Sequence, residues 1–259
     1  MVISLLMIFP MLWMFFLSFI KYPDSDVKLT QILNYNFTFD NYLDALNTDS
    51  FGLYFLNSII VGLIVTLFNI LFCYSVAYIL ARKKLKYNNI IIYSIIVILT
   101  IPSHVIMIPL YDLMVTFGWI NTFMALTIPW LITPLGIFLV YQFLKTIPKE
   151  IEEAAKIDGA GELKIIYGIV MPLAKPILSV LFVITLLNNW NSFLFPFLFT
   201  NDEAHRTLPV GLAFYLGKQS IDWGHLMAGA SISAIPILII FLIFQKEIIK
   251  SLTAGALKE

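Results

Sequence analysis

Residues 51–81 read FGLYFLNSIIVGLIVTLFNILFCYSVAYILA and contain no Asp, Glu, Lys or Arg. A helix needs about 20 apolar residues to cross roughly 30 Å of hydrocarbon, and this run is longer than that. It also lacks the polar–apolar alternation of a transmembrane barrel strand, so it reads as a membrane helix. Using the charged residues as a ruler along the rest of the chain marks five more charge-free spans: 1–20, 87–111, 113–144, 176–201 and 223–245. The expected fold is an all-α integral membrane protein with six transmembrane helices, residues 1–259 forming one transmembrane domain. Spans 51–81 and 113–144 are long enough to include interfacial turns or tilted ends. Phe117-Gly118-Trp119-Ile120-Asn121 reads as the turn between the third and fourth spans, with an interfacial tryptophan. Span 1–20 lacks a basic n-region and a small-residue cleavage site and contains Trp13. It therefore reads as the first membrane helix and not as a cleaved signal peptide.

Composition agrees with this reading. The chain is 60% hydrophobic and 12% charged, against about 25% charged for soluble domains. Its formal net charge is zero, which leaves no global basic field for nucleic acid. The single cysteine, Cys73, excludes an intramolecular disulfide framework and a Cys-based zinc site. Within its apolar run it reads as a small buried hydrophobe.

Lys and Arg set the orientation. Twelve of the 16 basic residues fall in alternate loops and the tail, among them Arg82, Lys83, Lys84, Lys145, Lys149, Lys156, Lys164, Lys175 and Lys246. Lys21, Lys28, Arg206 and Lys218 lie on the other side. The positive-inside rule then puts both termini and segment 145–175 in the cytoplasm.

That segment looks like two short helices within about 147–171. Pro148 suits a first helical turn, and Glu150, Glu152 and Glu153 sit near the positive end of the helix dipole. Ile151, Ala154, Ala155 and Asp158 share one face by helical spacing. Gly159 falls where a left-handed C-terminal cap belongs. A second helix, about 161–171, is ended by Pro172, and Pro176 opens the fifth span. Ala154, Ala155, Gly159, Ala160 and Gly161 are small enough for another backbone to come close. The residues alone leave two readings open: a knob for a partner's groove, or an amphipathic connector on the membrane surface.

Glu153-Ala154-Ala155, Gly159 and the Ile169-Val170-Met171-Pro172 string resemble the "EAA" signature of ATP-binding-cassette (ABC) importer permeases. The fuller string from Glu153 to Ala160, followed by Pro172-Leu173-Ala174-Lys175-Pro176, resembles the carbohydrate branch, in particular the maltose-type permease subunit without a large periplasmic domain. Asn41-Tyr42, Asn57-Ser58, Tyr78 with Ala81-Arg82, Ile101-Pro102, Trp190-Asn191, Thr207-Leu208-Pro209 and the tail from Leu252 to Lys258 are similar to the family pattern too. The resemblance thus covers nearly the whole chain. Met171 stands where the family usually has leucine.

The resemblance implies a type I importer permease fold. It implies docking of Glu153, Ala154, Ala155, Asp158 and Gly159, with Pro172 behind them, onto a cytoplasmic ATPase. The implied partners are a second permease subunit forming a heterodimer, two ATPase subunits, an extracytoplasmic substrate-binding protein and membrane lipid, with no nucleic acid. The chain would be a non-catalytic subunit of a bacterial cytoplasmic membrane complex, binding no cofactor itself while its partners use ATP and Mg. Arg206 and Thr207 lie in the loop that in the family reaches the binding protein, and the tail from Ser251 to Glu259 resembles one that contacts the ATPase interface.

No nucleotide site is legible in this chain. Gly211 to Gln219 has one residue too many for a P-loop and no Ser or Thr after Lys218. His104, His205 and His225 are scattered. Asn188, Asn189 and Asn191 cluster around Trp190 in the fifth span, with Phe193 and Phe197 near by. Amides and aromatic faces suit a sugar, but hydrogen bonding between helices fits the same residues. Asn69 reads as helix glue. Pro102 reads either as a gating kink or as a fixed bend. A secondary carrier would be marked by ionisable residues inside the spans, and a membrane-embedded enzyme by convergent His, Asp or Glu groups there; the six spans contain no Asp, Glu, Lys or Arg. The cargo expected is a sugar or oligosaccharide, with sialic acid, a glycerol phosphodiester or an amino acid as alternatives.

Overall fold

The computed structural model describes residues 2–21, 35–47, 50–83, 85–216 and 223–256. Lys28, Lys84, Gly217, Lys218, Gln219, Leu257, Lys258 and Glu259, used above, lie outside the described residues. In order the helices are α1 (Val2–Ser18), α2 (Asp40–Asn47), α3 (Phe51–Arg82), α4 (Asn88–Leu99), α5 (Met107–Thr116) and α6 (Phe123–Thr127). Then come α7 (Pro134–Leu144), α8 (Glu150–Ile157), a π-helical stretch (Lys164–Val170) and α9 (Met171–Leu173). The chain continues through α10 (Lys175–Trp190), α11 (Leu194–Phe199), α12 (Leu208–Leu216) and α13 (Trp223–Ala256). Short 3₁₀ turns precede α5 and α7, and no strand forms among the described residues, only an isolated bridge between Ile20 and Phe37.

Three stretches are each long and apolar enough to span a membrane: Phe51–Arg82, Phe123–Leu144 and Trp223–Gln245. Two more meet the same measure only as bent pairs: Asn88–Leu99 with Ser103–Thr116, bent by 95°, and Lys164–Leu173 with Lys175–Trp190, bent by 79°. Leu6–Ser18 is a shorter apolar helix. Among the described residues three of the expected spans are thus unbroken and two are bent, and each bend has a local cause.

Pro102 is extended, with φ −60° and ψ 135°. The residue before a proline avoids the α region, so α4 stops and the chain turns there. The charge ruler separated spans three and four at Asp112, but the helix runs through Asp112 to Thr116. It ends at Gly118, whose φ of +67° closes a Schellman cap: Gly118 N–H donates to Val115 C=O and Trp119 N–H to Met114 C=O. The turn read from Phe117 to Asn121 is thus correct, and Asp112 belongs to the helix ahead of it. The fifth span also differs. Its helix ends at Trp190, and α11 is a separate turn of helix, so Asn191 lies in the break.

The chain divides into two compact units. The first comprises residues 1–60, 120–122 and 190–242. Its core is built on Phe51, Tyr54, Trp190, Leu208, Leu226 and Ala228. The Asn41 side chain donates to the carbonyls of Ser18 and Ile20 at 2.9 and 2.8 Å, tying the end of α1 to α2. The second unit comprises residues 61–119, 123–189 and 243–259. Tyr74, Ala77, Val140, Leu144, Val170 and Leu181 form its core.

The surface explains the environment. Large apolar side chains lie exposed along α4, α5 and α13, including Ile90, Val97, Ile108 and Leu242. Polar residues are sequestered: Thr66, Asn69 and Ser231 are fully buried. Water would penalise that distribution, whereas lipid does not. Asn69 behaves as helix glue within the second unit. Its amide donates to Trp130 C=O (2.9 Å) and Thr133 Oγ1 (3.2 Å), and its Oδ1 accepts from Thr185 (3.4 Å) and from the buried Cys73 thiol (3.5 Å).

Candidate functional site

The Lys-rich segment of the second unit folds as two short helices. In α8, Glu150, Glu152 and Glu153 occupy the first turn and Lys156 the last, which matches the helix dipole at both ends. The helix closes with a complete Schellman motif. Gly159 has φ +80°, its N–H donates to Lys156 C=O at 3.0 Å, and Ala160 N–H donates to Ala155 C=O at 2.9 Å. The second helix is not the regular 161–171 helix expected. It is π-wound over Lys164–Val170 and runs through Pro172 to a break at Ala174. The Ile166 carbonyl accepts both Met171 N–H, in the π pattern, and the Tyr74 hydroxyl at 2.6 Å. Such π turns recur at functional positions.

The apolar spacing of α8 suggests one face made of Ile151, Ala154, Ala155 and Asp158. The structure splits that set. Only Glu152 and Ala155 are buried. Ile151, Glu153, Ala154, Asp158 and Gly159 are exposed, and Ile157 is 86% exposed. The inward face is chosen by a charge. Arg82, the last residue of α3, places Nε 2.6 Å from Glu152 Oε1, and both side chains are about 5% exposed (5% and 6%). The angle at that contact is not a hydrogen-bonding one, so it is a close ion pair. Arg82 Nη2 also donates to Ile147 C=O at 2.9 Å, and the Tyr78 hydroxyl donates to Glu152 Oε2 at 2.8 Å. Lys83 and the exposed Glu162 form a second pair, and the hydrogen bond from Lys83 holds the Glu162 carboxyl below its ordinary range.

Glu153, Ala154, Asp158 and Gly159 therefore stand exposed along α8 and its cap, while Ala155 packs inward against the core of the second unit. Pro172 is exposed and lines an apolar groove of about 490 Å³ with Tyr167, Met171, Leu178 and Phe244. Sequence reading assigns Glu152 only a place near the helix dipole, and Arg82 and Tyr78 only an inside-loop charge and a match to the family pattern. The available signal was a basic residue ending a long apolar helix together with an excess of glutamates in a two-turn helix.

The other candidate residues do not join this surface. Asn188 is exposed and Asn189 half-buried near the end of α10. In the first unit, Trp190 is 4% exposed, donates from Nε1 to Ser233 C=O at 3.1 Å and packs edge-on against Phe55, while Asn191 is exposed. Trp190 is thus a buried indole of the first unit, and the amides on either side of it in sequence differ in exposure. Thr207 is buried, and the Arg206 guanidinium lies 3.8 Å over the Phe214 ring, which continues into the Phe197–Phe193 stack. Asn57 clamps this loop by donating to the carbonyls of Ala204 and Arg206 at 2.9 and 3.0 Å. Asp202 accepts from Asn121 at 2.6 Å and contacts His205 Nδ1 at 2.9 Å. These contacts, Asn121 first, hold its carboxyl below the ordinary aspartate range. Among the described residues no group of three or more His, Cys, Asp and Glu side chains could hold a metal ion.

Comparison with known proteins bears on the same segment. Residues 73–253 match a family model described as "Binding-protein-dependent transport system inner membrane component". The chain is 34% identical to the trehalose/maltose transport system permease protein MalG of Thermococcus litoralis, covering 98% of this chain and 93% of the relative. It is 38% identical to the melibiose/raffinose/stachyose import permease protein MelC of Bacillus subtilis, covering 90% and 86%. It is 32% identical to the sulfoquinovosyl glycerol transport system permease protein SmoH of Agrobacterium fabrum, covering 97% and 89%. Its fold is similar to that of a bacterial ABC transporter involved in import of the acidic polysaccharide alginate. The TM-score there is 0.84 at 21% identity, over 95% of this chain and 92% of that one.

Proposed function

We infer, from a chain that belongs to the binding-protein-dependent transport system inner membrane components, that it forms half of the translocation pathway of an importer for a sugar or oligosaccharide. A second permease subunit supplies the other half. Two cytoplasmic ATPase subunits hydrolyse ATP with Mg, and an extracytoplasmic binding protein delivers the solute. The membrane is the bacterial cytoplasmic membrane, with both termini and the α8 segment inside, as the distribution of Lys and Arg favours.

The observation that carries the coupling role is the exposure of residues along α8 and its cap. Glu153, Ala154, Asp158 and Gly159 stand exposed on a helix fixed to the end of α3 through Glu152 and Arg82. A short helix that offers small residues outward and is tied inward has the form of a handle for a partner's groove. It fits a surface-lying connector less well, because its buried face is a charge pair and not an apolar stripe. Cargo class is supported by the relatives, whose names specify trehalose or maltose and the melibiose series. SmoH, a permease for sulfoquinovosyl glycerol, supports a second reading in which the saccharide is anionic.

The test is to co-purify the chain with its ATPase and permease partners and reconstitute the complex with the binding protein. A thermal-shift screen of that binding protein with neutral and anionic saccharides names the cargo, and uptake into proteoliposomes is then measured with and without ATP. Uptake without ATP, or a binding protein stabilised by amino acids and by no saccharide, would overturn the reading.

A further inference from the structure

Packing alone does not hold α8 in place. Its two turns bury one small apolar side chain, Ala155, and one carboxylate, Glu152. Beside it opens a polar cavity of about 390 Å³, lined by Arg82, Lys149, Glu153, Lys156 and Glu162 among others. A two-turn helix with a single methyl group in the core and open space beside it has little apolar contact to fix its rotation. The restraint comes from one end of α3. Tyr74, Ser75, Tyr78 and Arg82 lie within its last three turns and Lys83 follows directly, and Tyr74, Tyr78 and Arg82 follow one another at four-residue steps along one face. Tyr74 donates to Ile166 C=O, Ser75 and Tyr167 share a hydrogen bond of 2.9 Å, and Lys83 pairs with Glu162. Tyr78 and Arg82 hold Glu152 from two directions, and Arg82 also holds the Ile147 carbonyl just ahead of α8.

We propose that the buried Arg82–Glu152 pair, oriented by Tyr78, is the positioning element that makes α8 and the end of α3 a single rigid lever. This rests on the reading of α8 as the ATPase-coupling handle. Stability is a weak reason for such a pair, since burying two charges costs more than burying two apolar side chains of similar volume, which is often neutral or favourable in their place. What the ion pair supplies and an apolar pair lacks is direction. The carboxylate is held at one oxygen by the Tyr78 hydroxyl and at the other by the Arg82 charge, and the guanidinium is fixed by the Ile147 carbonyl. Glu152 and Arg82 touch no solute or nucleotide in this scheme and act only through the placement of Glu153, Ala154, Asp158 and Gly159.

The test uses the complete reconstituted transporter and reads solute imported per ATP hydrolysed, alongside assembly and thermal stability. Replacing the pair by apolar side chains, Arg82→Met with Glu152→Leu, is expected to leave assembly intact and lower that ratio roughly three- to thirty-fold. Arg82→Lys, which keeps a cation facing Glu152, is expected to retain most of the ratio. An apolar double variant with the wild-type ratio would reduce the pair to a structural role and overturn the proposal. A measurement on the otherwise native complex does not depend on that variant folding. Spin labels at Ile79 in α3 and Ile157 in α8, both exposed, are expected to report the same distance with and without bound ATP. A change in that distance on ATP binding overturns the rigid-lever claim outright. A wild-type complex whose ATP hydrolysis drives no import would instead overturn the importer reading, so the two failures are distinguishable.

Discussion

Gly159 offers a clean separation between what the fold needs and what a partner needs. Its φ is +80°, and a Cβ built there meets no atom within 4 Å. Substitution therefore produces no clash inside the chain, and its cost is conformational. An L-residue in the left-handed region costs about 1–2 kcal/mol. A less flexible unfolded chain returns about 0.4–1 kcal/mol of that, so Gly159→Ala should destabilise the permease by roughly 1 kcal/mol. Gly159→Asn should cost less, because asparagine tolerates this region. Against a folding stability of about 5–15 kcal/mol, neither variant should change the amount of folded permease appreciably. Docking is another matter. If a partner's backbone lies against Gly159, an added side chain overpacks that contact at about 1–3 kcal/mol, which weakens ATPase binding roughly 5- to 150-fold. The larger Asn side chain should then do more harm to docking than Ala while doing less harm to the fold. The assay measures ATPase affinity for the permease pair in nanodiscs, beside thermal unfolding of the same samples. A Gly159→Asn variant that binds the ATPase with wild-type affinity would refute close approach at this position and leave the glycine explained by its cap alone.

Three further outcomes follow from particular contacts. Asn69→Leu removes two donated and two accepted contacts within the second unit and should cost about 1–2 kcal/mol. Thr185→Val removes one long bond and should cost about 0.5 kcal/mol, since hydrogen bonds between membrane helices average about 0.6 kcal/mol; denaturation in mixed micelles compares the two. At Gly211 an added Cβ would stand 2.1 Å from the buried Tyr54 ring, so Gly211→Ala should destabilise the protein by about 1–3 kcal/mol. Gly161→Ala, which meets nothing, should stay within about 0.5 kcal/mol in the same melt. The depressed Asp202 carboxyl stabilises its loop above the ordinary aspartate pKa of about 3.9, and that contribution is lost as pH falls through the lower folded-state value. Hydrogen exchange at the Asn201 and His205 amides, bonded to Asn121 and Asp202, should therefore lose protection only below about pH 4, and earlier in Asn121→Ala.

What the sequence disclosed and what it hid divide along the distance between cause and effect. The cap at Gly159, the turn at Gly118 and the bend at Pro102 each depend on residues within a few positions of themselves, and all were legible. Asp112 misled because a charge was taken as the end of a helix. One carboxylate near a helix terminus is tolerable, and the stop signal was the glycine six residues on. The inward face of α8 was hidden for the opposite reason. Helical spacing ranks faces by apolar content, and by that rule Ile151 belongs inside and Glu152 outside. Arg82 reverses the order from seventy positions away, and no local pattern announces that the two will meet. The same holds for Asn69, whose partners Trp130, Thr133 and Thr185 come from other helices. In lipid this bias is systematic. Burying an apolar side chain between helices gains little over leaving it against acyl chains, so polar pairs between distant segments decide which faces turn inward. Apolar periodicity can locate the helices of such a chain, but their rotation must be sought among its few buried polar residues. Here those residues include the pair that fixes α8 to the end of α3.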